Sequence, residues 1–370
     1  MTVVHLRRAT SPALSLARSV ALSLCVAAAA VTSTATAQGT QGDFVAREFK
    51  FTTGEVLPEL RLHYTTLGAP RRDAAGVVRN AVMILHGTGG TGRGFLSATY
   101  GGELFGPGKL LDTARYFIVL PDGIGHGGSS KPSDGMHAKF PRYTYDDMVR
   151  AQWLLLTQGL GVNHLRIIMG TSMGCMHAWV WGYTYPAFAD GLVPLACAPA
   201  PIVGRNRMMR RMIMDDIRQD PGYKGGEYTE QPKGVNAANQ LLFMMTSAPL
   251  VQHRQAPTRD AADSAITAYL ANRARITDAN DMLYQFDASR EYDPSSHLAQ
   301  VTTSVLAINS ADDQVNPPEL GVMDRLMPLV AKGKFVLLPI TPQTRGHGTH
   351  SLPAVWGSYL ADFLKVLPER

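Results

Sequence analysis

Short apolar runs alternate with longer amphipathic stretches along most of this chain. The runs at 82–85, 117–120, 165–169, 192–196, 305–308 and 335–338 are each bounded by turn-forming residues. Runs that short suit strands buried on both faces of a parallel sheet. Between them, 145–158, 176–185, 319–330 and 354–366 carry helical patterns. The alternation predicts an α/β fold, a mostly parallel sheet covered by helices on both faces. Residues 45–51 and 60–66 read as an antiparallel hairpin at the sheet's edge. From about 199 to 294 the rhythm breaks, and helical patterns replace buried strands. Met208, Met209, Met212 and Met214 fall there, as do Met244 and Met245. They fill the core of a helical insertion, or line an acyl pocket beneath a lid.

The first 37 residues have a different character. Arg7, Arg8 and Arg18 appear with no acid, an alanine-rich apolar run covers 20–31, and Ala35-Thr36-Ala37 ends the segment. A basic start, an apolar middle and a small-x-small exit read as a secretory signal peptide. The run is too short for the roughly 20 residues of a membrane-spanning helix. The expectation is an exported protein, periplasmic or secreted, with no stable membrane span once the leader is cleaved. The predicted organisation is a signal peptide at 1–37, a first core part at 38–198, a helical lid at 199–295 and a second core part at 296–370.

Of the 370 residues, 45% are hydrophobic and 18% charged, an ordinary globular composition. The formal net charge is +5. After cleavage, 32 lysines and arginines face 30 acids, so the mature net charge is +2. No basic stripe or nucleic-acid motif appears, which argues against a nucleic-acid partner. Cleavage also removes Cys25. The remaining Cys175 and Cys197 read as buried free thiols, although export permits a bridge.

Gly170-Thr171-Ser172-Met173-Gly174 follows a predicted strand and opens a predicted helix. A serine hydroxyl needs exposure and a base before it acts as a nucleophile. A sharp strand-to-helix turn supplies the exposure, and the two glycines let the elements approach. An acid and a histidine should follow in that order. Asp312 and Asp313 follow the run at 305–308, and His347 and His350 follow the run at 335–338. Loops at the carboxyl edge of a parallel sheet are where such sites form. Asp313 is favoured by its spacing to Pro317, leaving Asp312 to cap the helix near Pro318. His347 is favoured because Gly346 and Gly348 free its loop. His126 has a weaker claim and is read as lining the pocket.

An oxyanion needs backbone donors aimed at it. The Met173 N–H should be one. The other should come from the loop His86-Gly87-Thr88-Gly89-Gly90-Thr91-Gly92, with Thr88 the expected donor. No Gly-Lys-Ser/Thr ending makes that loop a phosphate cradle. His347 and His350 have no third ligand nearby, so no metal is assigned, and the expected chemistry requires no cofactor.

Taken together, these residues resemble the α/β-hydrolase superfamily, more narrowly its homoserine O-acetyltransferase-like branch. The likeness rests on 106–109, on 111–117, on Asp146-Asp147-Met148-Val149-Arg150-Ala151-Gln152 and on Met173-Gly174-Cys175-Met176-His177-Ala178. Asp313 before Pro317-Pro318-Glu319 and Gly346-His347 also fit. The resemblance carries the triad over as Ser172, Asp313 and His347, and implies a homodimer. Residues 121–132 lack that branch's pattern and are similar to ordinary ester hydrolases, and Cys175 stands where the branch usually has glycine. The resulting expectation is an exported serine hydrolase that cleaves small-molecule esters through an acyl-enzyme. An acyltransferase sharing that acyl-enzyme is the alternative.

Overall fold

The computed structural model describes residues 39–368, so the leader expected at 1–37 lies outside the described residues. Eight strands make one sheet: β1 (Thr40–Lys50), β2 (Val56–Leu67), β3 (Ala81–Leu85), β4 (Phe117–Pro121), β5 (Leu165–Thr171), β6 (Ala189–Leu195), β7 (Ser304–Ser310) and β8 (Gly333–Leu338). Their spatial order is β1-β2-β4-β3-β5-β6-β7-β8. β1 and β2 pair antiparallel, with Phe44 opposite Leu62, and β2 is antiparallel to β4. All later pairs are parallel.

Side chains alternate across a strand, and the inner strands use both directions for core. Met83, Leu85, Val119 and Ile168 pack on the face that holds Trp179 and Trp181. Val82, Ile84, Ile118, Ile167 and Met169 pack on the other, with Trp356 and Phe363. Because both directions are apolar, these strands read as continuous apolar runs. Helices α1 (Gly101–Leu104), α2 (Tyr145–Leu154) and α3 (Met173–Thr184) follow the early strands. The helix expected over 145–158 passes from α2 into a π-helical turn, Leu155–Gly159.

Between β6 and β7 come α4 (Gly204–Arg218), α5 (Gly234–Thr246), α6 (Pro249–Gln255), α7 (Arg259–Ala274) and α8 (Ala279–Asp287). Ile213, Met214, Ile217, Met245, Met282 and Phe286 give this helical segment a core of its own. Met208, Met212 and Met244 are exposed and border neither cavity that reaches Ser172, so the acyl-pocket reading does not hold for them. After β7, the helix expected over 319–330 is broken into a 3₁₀ turn, the short α9 (Val322–Leu326) and a second 3₁₀ turn. Gly321, with φ +60°, ends the first piece, and Pro328 lies in the last. The chain closes with α10 (Pro353–Val366).

Cys175 and Cys197 are joined in a disulfide, with Cα atoms 5.9 Å apart. This corrects the reading of two free thiols. α3 and the end of β6 converge at the sheet's carboxyl edge, a proximity that sequence separation hides.

Candidate active site

The turn between β5 and α3 is built by close approach. A Cβ on Gly170 would stand 1.9 Å from the Gly174 carbonyl oxygen, and one on Gly174 would stand 2.1 Å from that of Leu85. Ser172 sits at the apex with φ +53° and ψ −108°, a region ordinary residues avoid. Its N–H donates to the Leu195 carbonyl at 2.9 Å, tying the apex to β6. Strain of this kind persists only where the surroundings over-determine it, as they do here.

His347 and Asp313 arrive from the loops after β8 and β7. His347 Nε2 lies 2.8 Å from Ser172 Oγ, and His347 Nδ1 lies 2.9 Å from Asp313 Oδ2. With Nδ1–H donating to the carboxylate, Nε2 is left to accept from the serine hydroxyl, a tautomer assigned from the network. Asp313 is 1% exposed. Its Oδ1 accepts from the Val315 and Asn316 N–H groups at 2.7 and 3.3 Å. Its Oδ2 also accepts from Asn316 Nδ2 at 3.1 Å, and the same amide donates to the Ala196 carbonyl at 3.0 Å. Burial pushes the Asp313 carboxyl up, but His347 and these hydrogen bonds outweigh it and hold the group below the usual carboxylate range.

Asp312 does not cap the helix near Pro318. Its Oδ1 accepts from Ser310 Oγ at 2.5 Å and its Oδ2 from the Gly346 N–H at 2.9 Å. It therefore braces the histidine loop. His350 packs edge-on against His347, with ring centres 5.2 Å apart, and accepts or donates at Nδ1 with Ser351 Oγ at 2.9 Å. Burial, reinforced by His347, pushes its pKa down to about 3.

Met173 is the first residue of α3, so its N–H has no carbonyl one turn back to receive it. Thr88 lines a cavity together with Ser172 and His347. The Gly174 N–H donates to the His86 carbonyl at 3.0 Å, fixing the Thr88 loop against the start of α3. Gly87 lies so close that a Cβ there would stand 3.2 Å from Ser172 Cβ. Met173 thus follows the serine directly, and Thr88 borders a cavity that opens on it.

His126 does not line the pocket. It is buried 4.9 Å from the His86 ring, centre to centre, and lines neither cavity that reaches Ser172. The reason is a compact turn in which the Gly128 and Gly92 N–H groups both donate to Asp122, closing the loop over His126. Beneath it, His177 accepts from Gln152 Nε2 at 3.1 Å, and burial pushes its pKa down to about 3.

Two cavities open on Ser172. One, of about 890 Å³, is walled by residues after β6, including Cys197 and Ile202, and by Met323 and Phe335. The other, of about 1150 Å³, runs under the Thr88 loop to Met245 and Phe286. Val315, His347 and Arg210 border both. Arg210 escaped the sequence reading because a charged residue on an amphipathic helix reads as solvated. Among the described residues, no cluster of three or more His, Cys, Asp or Glu is arranged to hold a metal. None of the described helices is long and apolar enough to cross a membrane.

The sequence signature of the alpha/beta hydrolase fold matches residues 80–328. A probable acyltransferase of Methanothermobacter thermautotrophicus is 28% identical over 295 residues, covering 80% of this chain and 89% of that protein. A homoserine O-acetyltransferase of Leifsonia xyli subsp. xyli is 28% identical over 333 residues, covering 78% of this chain and 82% of that one. The solved homoserine O-acetyltransferase from Bacillus anthracis superposes with a TM-score of 0.77 at 22% identity, covering 89% and 98% of the two chains, a likeness of fold. The relatives' names overturn the expectation of an ester hydrolase and favour the acyltransferase alternative. The expectation rested on departures from the branch's pattern at 121–132 and at Cys175, while hydrolysis and transfer share the same acyl-enzyme and differ only in what attacks second.

Proposed function

This chain belongs to the alpha/beta hydrolase fold family, and on that premise we propose that it is a serine-dependent O-acyltransferase. The relay from Ser172 through His347 to Asp313, opening on two cavities, supports an acyl-enzyme. The observation that carries transfer over hydrolysis is the likeness to proteins named acyltransferase and homoserine O-acetyltransferase.

In this reading Ser172 Oγ attacks the donor's acyl carbon while its proton passes to His347 Nε2. Asp313 holds the imidazole's tautomer and stabilises the imidazolium that forms. The Met173 and Thr88 N–H groups receive the charge that develops on the carbonyl oxygen. The donor's leaving group departs with the proton from His347. The acceptor hydroxyl then gives its proton to His347 and attacks the acyl-serine. Ser172 leaves and regains the proton as the new ester is released. Two cavities at one serine give the acyl group and the acceptor separate room.

We also infer export, which the leader motivates and the buried disulfide favours, since such bonds persist in oxidising compartments. Intact-mass measurement on protein from the native host tests it: a chain beginning at Gln38 is expected, and a full-length cytosolic species contradicts it. The transferase reading is tested by incubating the protein with acetyl-CoA and, separately, p-nitrophenyl acetate, each with a panel of alcohols including homoserine. O-acetylated product detected by mass spectrometry is expected, and none is expected from Ser172→Ala.

A further inference from the structure

The cavity of about 890 Å³ beside Ser172 offers far more room than the methyl of an acetyl group fills. Ile202 after β6, Val322 and Met323 on α9 and Phe335 on β8 wall it with apolar surface. Val203, Leu320 and Leu337 border it as well and are exposed, so the apolar lining runs from the nucleophile out to solvent. Contiguous apolar surface that reaches solvent marks a binding site rather than a core. Among the polar side chains on its border, Asn206 Nδ2 donates to the Val315 carbonyl at 3.3 Å. Asn309 Nδ2 donates to that of Cys197 at 3.1 Å and Asn316 Nδ2 to that of Ala196 at 3.0 Å. Each of these amide nitrogens thus faces a backbone carbonyl. Cys197 is bridged to Cys175 and presents no thiol. Arg210 is shared with the second cavity, and Asp324 is exposed. The second cavity differs in character, mixing apolar side chains with the hydroxyl residues Thr88, Thr91, Ser97 and Ser351.

We propose that the first cavity takes the alkyl tail of a medium-chain acyl group, so that the preferred donor is an aliphatic acyl compound longer than acetyl. The proposal rests on the acyl-enzyme of the function above and not on what attacks it second. Ser172 Oγ bonds to the acyl carbon, the bond from that carbon to the leaving group breaks, and the leaving group takes the proton from His347. The tail lies along the apolar walls, and the more polar second cavity is left for the leaving group and the acceptor. Each methylene taken from water into the cavity favours acylation by about fourfold.

The experiment measures kcat/KM for p-nitrophenol release from the acetate, butyrate, hexanoate and octanoate esters. Release precedes attack by water or alcohol, so it reads acylation alone. The constant should rise from acetate to hexanoate, by about fourfold for each methylene buried. Ala200→Trp fills the cavity and Leu320→Asp sets a charge on its rim, and each should flatten the rise. Thermal midpoints show which of the two variants is folded. A constant that falls from acetate onward, or a rise that survives in the folded variants, overturns the proposal. A rise lost in Leu242→Trp, on the second cavity, but kept in Ala200→Trp places the tail in the other cavity and overturns it too. A rise with water as the sole acceptor supports the proposal while the transferase reading falls. If Ser172 never acylates, heat stabilisation of Ser172→Ala protein by methyl octanoate above methyl acetate, lost on adding Ala200→Trp, still supports the site. Equal stabilisation by both esters, or none, overturns it.

Discussion

The carboxylate of Asp312 accepts the Gly346 N–H at 2.9 Å, one residue before His347. Two adjacent acids after β7 therefore have separate duties, one on the histidine's loop and one on its ring. Asp312→Asn preserves an acceptor for Gly346, and its amide can donate to Ser310, so kcat should fall only a few-fold. Asp312→Ala leaves that buried N–H unsatisfied, at a cost of about 1–3 kcal/mol in stability. Thermal unfolding and steady-state kinetics on the two variants check this, and an Asp312→Asn defect as deep as that of Asp313→Asn contradicts it.

Ser172→Ala, His347→Ala and Asp313→Asn should each reduce kcat by roughly 10⁴-fold, because members of a cooperating triad are not additive. A fluorophosphonate probe, located by peptide mass spectrometry, should label Ser172. Label on another serine, or wild-type rates in any of the three variants, would remove the nucleophile assignment.

Much of this site was legible because its signals are local. Gly170 and Gly174 bracket Ser172 between a plain apolar run and a helical pattern, the context of a strand-to-helix crossing, and the acid and histidine follow strands whose apolar runs are plain. What the sequence hid depends on approach in three dimensions. Cys175 and Cys197 meet because β6 lies beside β5, an adjacency that spacing along the chain does not encode. Burial of Arg210 depends on which face α4 turns inward, and the exposed Met208 and Met212 on that helix mask the pattern. The acceptor was misjudged for a different reason: water and alcohol are served by the same three side chains.

The disulfide closes a loop with a sequence separation of 22, which loop-closure entropy values at about 3 kcal/mol. The double variant Cys175→Ala/Cys197→Ala should therefore unfold at a midpoint several degrees lower, measured by calorimetry. Alkylation under denaturing conditions without reductant should leave both cysteines of the native protein unmodified. Full alkylation there would contradict the bridge.

Acid should destabilise the fold below neutrality. His177 and His350 are both pushed down to about 3 by burial, from an ordinary value of about 6.5. The unfolded chain takes up protons that these folded rings refuse, so stability is full above about 6.5 and declines as pH falls toward 3. Asp313 acts in the same direction lower down: its contribution is full above the usual carboxylate range and is lost as pH falls through its depressed value. Unfolding midpoints between pH 3.5 and 8 should fall on the acid side, and His177→Gln should flatten that limb. A pH-independent midpoint would contradict the assignment.

The central claim is that an alcohol, rather than water, takes the acyl group from Ser172. Its most direct measurement is the partition of pre-formed acetyl-Ser172 between free acetate and O-acetyl product as alcohol acceptor is raised. The account predicts that ester product comes to exceed acetate and that discharge of the acyl-enzyme accelerates with acceptor concentration. Acetate as the sole product at every acceptor concentration, with an unchanged discharge rate, would contradict it.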